Sequence, residues 1–275
     1  MPDAAKVETR RRNPARPRGA AATRQRDGAS GYSLRGLQGQ VIGALGRDIV
    51  GGRYAPGVLL PREAELTTEY GVSRTSIREA MKVLAAKGLI EIRQKVGTRV
   101  RARDLWNVFD SDVLAWHHQQ GLSQAVMHDL IELRQIIEPA TARLAAGRAT
   151  MADLRNIEQA HTRMAAHATD PIGYAESDVE FHMAVFAASH NVLLQRFGHL
   201  VADFLHMSFS IQQRSLSEAG TDFAKDAAEH RRVFDAINKG EPEAAATAML
   251  EVILQGKSAL TNALVALDDR KAQSP

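Results

Sequence analysis

Along residues 37–50 (LQGQVIGALGRDIV) the apolar positions Leu37, Val41, Ile42, Leu45 and Ile49 recur at helical spacing, and Gly51-Gly52 ends the run. This predicts a first helix. Pro56-Gly57 marks a turn, and residues 58–60 make a brief extended run before Pro61. A second helix fits 63–70, with Ala64, Leu66 and Tyr70 available to face inward and Gly71 at its stop. Ser73 is placed to cap a third helix over 74–87, whose core face is Ile77, Ala80, Met81 and Leu84. After Gly88 the period shortens. Leu89, Ile90 and Ile92, then the alternating Thr98-Arg99-Val100-Arg101, predict a small hairpin. Helix, tight turn, helix and a two-stranded basic wing together make a winged helix-turn-helix.

Beyond residue 110 every segment has the helical pattern: 112–120, 123–148, 151–168, 171–189, 192–214, 222–238 and 242–267. Gly121, Asp170-Pro171, Asn191, the Ser/Gly stretch at 215–220 and Gly240 fall at the breaks. No strand-like alternation occurs there. The fold class expected is mainly α, an N-terminal winged helix-turn-helix followed by an all-α helical bundle with ligand sites between its helices. The organisation expected is a disordered basic arm over 1–31, a winged helix-turn-helix domain over 32–103, a linker over 104–110, an all-α domain over 111–268, and a tail over 269–275.

Charge sharpens this division. Of the 275 residues, 1–31 carry a net +5, 32–103 a net +7 and 104–275 a net −9, so the first part suits a polyanion and the second does something else. All ten histidines lie in the acidic part. With no cysteine, disulfides, thiolate chemistry and Cys-based metal sites are excluded. The chain has no uncharged apolar run of spanning length and no apolar signal segment at its start, which predicts a soluble, cytoplasmic protein with no membrane contact.

In such a domain the start of the third helix meets base edges, where arginine pairs bidentately with guanine. Arg74 and Arg78 are four residues apart and share a face, so they are expected on bases; Thr75 and Ser76, behind the capping Ser73, are expected on phosphate or sugar. Arg62, at the start of the second helix, is a candidate for the DNA backbone, and Lys95 and Thr98 are candidates on the wing. The basic arm either tracks DNA or is a solvated tail.

Several landmarks recur in order over 37–101: Pro-Gly before Leu-Pro, Glu-Leu, Gly-Val-Ser-Arg-Thr, Arg-Glu-Ala, Gly-Leu-Ile and Gly-Thr. On these the region resembles the DNA-binding domain of GntR-type bacterial transcription regulators. The sequence departs from that pattern at Ala64, where the family often has arginine, and at Lys95, where it has glycine. Residues 110–267 resemble the FCD effector domain of the FadR branch, through Glu132-Leu133-Arg134 with Glu138-Pro139, Asp178-x-x-Phe181-His182 and Glu229-His230. Within that branch, Trp106-Asn107, Asp112-Val113-Leu114-x-Trp116 and Ile137-Glu138-Pro139-Ala140 resemble repressors of D-galactonate catabolism.

The resemblance implies one divalent metal ion, zinc or similar, held by Asp178, His182 and His230. Asp178 and His182, at i and i+4, project from one helix face as a shared ion requires. The family's fourth ligand, a histidine, is replaced by Val252. The alternative is that the same trio binds the effector directly. Arg134 sits mid-helix among apolar residues and needs an anion, either Glu138 at i+4 or the carboxylate of a small organic acid. His190 suits a helix end, and His117, His118, His199 and His206 suit structural or surface roles. The function expected is a homodimeric, ligand-responsive repressor on a pseudo-palindromic double-stranded DNA operator, and not an enzyme. The rival is a metal-dependent hydrolase built on the same trio, against which no separate general base is evident. A constitutive architectural DNA protein is the third possibility, and it predicts no ligand response.

Overall fold

Two elements predicted from spacing alone, a capped recognition helix and its supporting partner, stand at the expected residues in the computed structural model, which describes residues 36–120, 123–215 and 222–273. The arm expected over 1–31 lies outside the described residues. The winged unit comprises α1 (Gly36–Val50), α2 (Glu63–Tyr70), α3 (Arg74–Ala86), β1 (Ile90–Arg93) and β2 (Gly97–Val100). The strands pair antiparallel with Ile90 opposite Val100 and Arg93 opposite Gly97, and Leu59 bridges to Arg99 at the open edge. Ile42, Leu45, Ile49, Leu66, Ile77, Leu84 and Leu89 fill one core, each fully buried aliphatic contributing about 1.5–3 kcal/mol relative to exposure. In α2 only Leu66 is fully buried; Ala64 is exposed and Tyr70 half-buried, because eight residues present just one turn to α3. Gly71, at φ 64°, turns the chain out of α2, and Ser73 Oγ accepts the Ser76 amide at 3.1 Å to start α3.

The stretch 104–110, expected as a linker, is packed against the winged domain. Arg103–Leu105 forms a single 3-10 turn, Trp106 is buried in the winged-domain core, and its indole donates to the Arg101 carbonyl at 3.1 Å. Asp110 then caps α4 (Ser111–Gln119), its Oδ1 accepting the amides of Asp112 and Val113. Val113 and Trp116 join the winged-domain core, and Trp116 lies so close to α1 that a Cβ on Gly46 would sit 2.5 Å from its ring. Leu114 points the other way into the helical domain. A helix placed by sequence wholly in the effector domain is therefore shared by both cores.

The helical domain is α5 (Ser123–Arg148), α6 (Met151–Ala166), α7 (Pro171–Ala188), α8 (Val192–Ser215), α9 (Ala224–Lys239) and α10 (Pro242–Gln273). Helix α10 runs on through 269–273, which sequence had assigned to a tail, since nothing in that charged stretch breaks a helix. Two apolar clusters fill the bundle. One gathers Tyr174, Phe181, Phe234 and Met249, the other Leu130, Phe186, Leu200 and Phe204. Helix α7 lies between them and is buried on almost every side, so its few polar residues have only one another, and what faces them, as partners.

Candidate functional site

Helix α3 presents Arg74, Thr75 and Arg78 to solvent, as the recognition face requires. Ser76 is different: its amide and hydroxyl are both taken by Ser73, the hydroxyls 3.0 Å apart, so this pair serves the helix cap. Arg78 Nε donates to Glu63 Oε2 at 2.9 Å, which ties α3 to α2 and leaves the two terminal nitrogens of the fork for a base. Arg62 is exposed beside it, its amide donating to Glu65 at 2.7 Å. On the wing Lys95 is exposed at the tip with φ 64°, a left-handed conformation in which glycine would be unstrained, and Thr98 is half-buried opposite Ile92. Arg99, not singled out by sequence, donates to the Gly57 carbonyl at 2.9 Å. That bond holds the wing against the turn before α2.

In the helical domain α5, α7 and α9 bring Arg134, Asp178, His182 and His230 to the floor of a cavity of about 210 Å³. The trio's ligating atoms lie within 4.8 Å of one another. His230 Nδ1 donates to the Asp226 carbonyl at 2.8 Å, which directs its Nε2 to within 3.1 Å of Asp178 Oδ1. His182 Nε2 stands 3.9 Å from the same oxygen, and its Nδ1 is 2.5 Å from Glu138 Oε2. These contacts have ion-pair distances but poor hydrogen-bond alignment. Asp178 Oδ2, Glu138 Oε2, His182 Nδ1 and His230 Nε2 are accordingly buried without a hydrogen-bond partner.

Glu138 is the residue that sequence named only as an alternative, and it is central. It is 1% exposed, and Arg134 Nε donates to it. The terminal nitrogens of Arg134 make no other hydrogen bond among the described residues, and the guanidinium lies 5.0 Å over the Phe204 ring. Burial alone would raise the Glu138 pKa, but the Arg134 charge and the adjoining His182 hold it down at about 2. Asp178 is likewise held low against its burial by His230 and His182. For His230 burial works downward, yet the charges of Asp226 and Asp178 outweigh it and lift the imidazole to about 9. The floor thus brings the Arg134 guanidinium, the carboxylates of Glu138 and Asp178 and the raised His230 imidazole together.

The walls are Phe204, Phe209 and Phe223 on the apolar side, and Ser208, Gln212 and Gln255 on the polar side. Tyr174 stacks on Phe223 at 4.3 Å and donates to Asp226 at 2.5 Å, locking the residue whose carbonyl orients His230. Val252, the residue in place of the fourth ligand that the resemblance implies, also lines the cavity. Of the other histidines, His190 Nε2 donates at 2.9 Å to Asp153 Oδ2, the residue whose carboxylate accepts from Thr150 at the start of α6, and His199 and His206 are exposed. His117 is buried against Trp106. None of the four lines the cavity.

The donor set fits a divalent ion. Two imidazoles aim Nε2 at one carboxylate, His230 oriented by its Nδ1 hydrogen bond to the Asp226 carbonyl, and His230 Nε2 and Asp178 Oδ2 are buried there without hydrogen-bond partners.

A winged helix-turn-helix bearing a recognition face, joined through a shared helix to an all-α domain with a small charged cavity, is the build of a ligand-responsive transcription regulator. The chain belongs to the GntR family: residues 37–100 match the bacterial regulatory proteins of that family and residues 129–255 match the FCD domain. It is 36% identical over 214 residues to the galactonate operon transcriptional repressor of Escherichia coli, covering 78% of this chain and 92% of that protein. It is 30% identical over 209 residues to the transcriptional regulator LutR of Bacillus subtilis, covering 74% and 91%. Lar of Listeria monocytogenes shares the fold at a TM-score of 0.56 and 17% identity, over 84% of this chain and 99% of that one. The two relatives by sequence are transcription regulators, which favours the regulator reading over the hydrolase reading of the trio. No described helix is long and apolar enough to cross a membrane.

Proposed function

We propose that the protein is a cytoplasmic, homodimeric repressor of sugar-acid catabolism that leaves its pseudo-palindromic operator when a galactonate-like acid enters the cavity. The observation that carries this is Arg134. Its Nε is anchored by Glu138, while its terminal nitrogens remain uncommitted at the floor of a cavity holding about seven waters' volume, a space suited to a small acid rather than a drug-sized ligand. A guanidinium so fixed accepts a carboxylate bidentately, and Ser208, Gln212 and Gln255 can take hydroxyls. Similarity to the galactonate operon repressor supports the ligand class.

Asp178, His182 and His230 would hold a divalent ion such as zinc. When bound, that ion would supply a Lewis acid for a carboxylate or hydroxyl oxygen, and Val252 offers it no fourth protein ligand. Arg74 and Arg78 read bases in each half-site, Thr75, Arg62 and Lys95 hold phosphates, and Thr98 supports the wing.

The route from cavity to DNA is short. Helix α8 lines the cavity at Phe204, Leu205 and Ser208, and its Asp203 accepts a hydrogen bond from Ser111 of α4 at 2.5 Å. Asp110 and Asp112, on either side of Ser111, grip Lys87 at the end of α3. Ligand that prefers one position of α8 therefore biases the recognition helix. The test is reciprocal: D-galactonate should weaken operator binding, and operator DNA should weaken D-galactonate binding by the same factor. Operator affinity unchanged at saturating acid would defeat the proposal.

A further inference from the structure

The cavity has a second cationic level that the carboxylate reading does not use. Helices α9 and α10 are joined by a short turn in which Gly240 has φ 69°, so they run antiparallel. His230 and Val252, both on the cavity, lie eleven residues before and after Glu241, and Lys225 and Lys257 lie sixteen before and after it. The two lysines thus stand at the same level of the hairpin. They sit five residues beyond the floor, about 7.5 Å toward the mouth at the rise of a helix. Both line the cavity, Lys225 exposed and Lys257 half-buried.

Neither ammonium makes an ion pair or side-chain hydrogen bond among the described residues, although the part of the chain after residue 103 has a net charge of −9. The carboxylates that share the wall are already engaged. Asp178 faces the two histidines, Asp226 accepts from Tyr174, and Asp222 Oδ1 accepts the Ala224 amide at 2.8 Å. Two like charges held on one rim repel, and an anion between them relieves the repulsion. Between rim and floor the Asp226 carboxylate is turned to Tyr174 and His230, and the neutral polar groups of Ser208, Gln212 and Gln255 stand beside the aromatic wall.

We infer that the effector is dianionic: an acyclic polyhydroxy acid whose carboxylate meets Arg134 on the floor and whose far end carries a second anion, a phosphate or a second carboxylate, between Lys225 and Lys257. This rests on the effector reading above and narrows it. A terminal phosphate and a terminal carboxylate satisfy the rim by the same chemistry, and the ligand comparison separates them.

The experiment is calorimetric titration of the full-length protein with D-galactonate, with the corresponding aldaric acid bearing carboxylates at both ends, and with galactonate phosphorylated at the terminal hydroxyl. At least one dianion should bind about tenfold more tightly than D-galactonate, as expected for two charge-assisted contacts. The stronger of the two identifies the second anion. In Lys225→Met/Lys257→Met that preference should shrink to within about twofold, D-galactonate losing less affinity than either dianion because its far end carries no charge. Arg134→Met should weaken all three ligands. D-galactonate binding as tightly as both dianions, or a preference that survives loss of the lysines, overturns the second anion and leaves the effector reading standing. Binding of none of the three overturns both.

Discussion

Replacing Lys87 by methionine would test how tightly the winged domain is tied to the rest of the protein. The ammonium is 2.7 Å from Asp110 Oδ1 and 2.7 Å from Asp112 Oδ2, with side-chain exposures of 6% for the lysine, 19% for Asp110 and 15% for Asp112. It also lies 6.0 Å from the Trp116 ring. Methionine keeps most of the volume and removes the charge, leaving two neighbouring carboxylates with no cation. Breaking a buried pair in this way costs about 3–5 kcal/mol, and because both aspartates retain some solvent the lower figure, about 3 kcal/mol, is expected.

The assay is built into the chain. Its only two tryptophans, Trp106 and Trp116, are both buried at this junction, so their fluorescence during urea denaturation follows the docking of α4 directly. Neutralising the acids as well, in Lys87→Met/Asp110→Asn/Asp112→Asn, should restore most of the loss, since asparagine still caps α4 and no buried charge is left unpaired. A loss under about 1 kcal/mol for the single variant, or no recovery in the triple one, would refute the electrostatic account of the junction.

Arg78→Ala should lose about 1–3 kcal/mol of operator binding and relax discrimination at one base pair, and Glu63→Gln, which frees the Arg78 fork, should lose part of the same discrimination while competitor DNA binds as before. A gel-shift series with unchanged discrimination would remove Arg78 from base recognition. Gly46→Ala should destabilise the junction by about 1–3 kcal/mol through the clash with Trp116, seen as a lower urea midpoint by tryptophan fluorescence; an unshifted midpoint would mean that α1 and α4 are not packed this closely. His230 is raised from 6.5 to about 9, so its charged form contributes stability that is complete below 6.5 and lost as pH rises through 9, about 3 kcal/mol in all. Chelator-treated protein should therefore melt progressively lower between those pH values, and zinc, which needs neutral imidazole, should abolish the fall; a flat profile in chelator would contradict the charged His230.

Sequence carried the local structure far. Periods of 3.6 and 2, with Ser73, Gly71 and Pro171 as punctuation, were enough to place the recognition helix, the wing and the bundle helices, because caps and amphipathic faces act within a few residues. Spacing also put Asp178 and His182 on one face, and resemblance to a family added His230 and Arg134. Sequence could not say that Trp106 and α4 belong to the winged core, since an apolar face does not name the surface that will cover it. Nor could it make Glu138 a partner of both Arg134 and His182, or set Lys225 level with Lys257, because those placements depend on how α5, α7, α9 and α10 are packed. The identities of the charged groups were written along the chain; which charge answers which was decided by burial, where each needs a partner that only the folded bundle brings within reach.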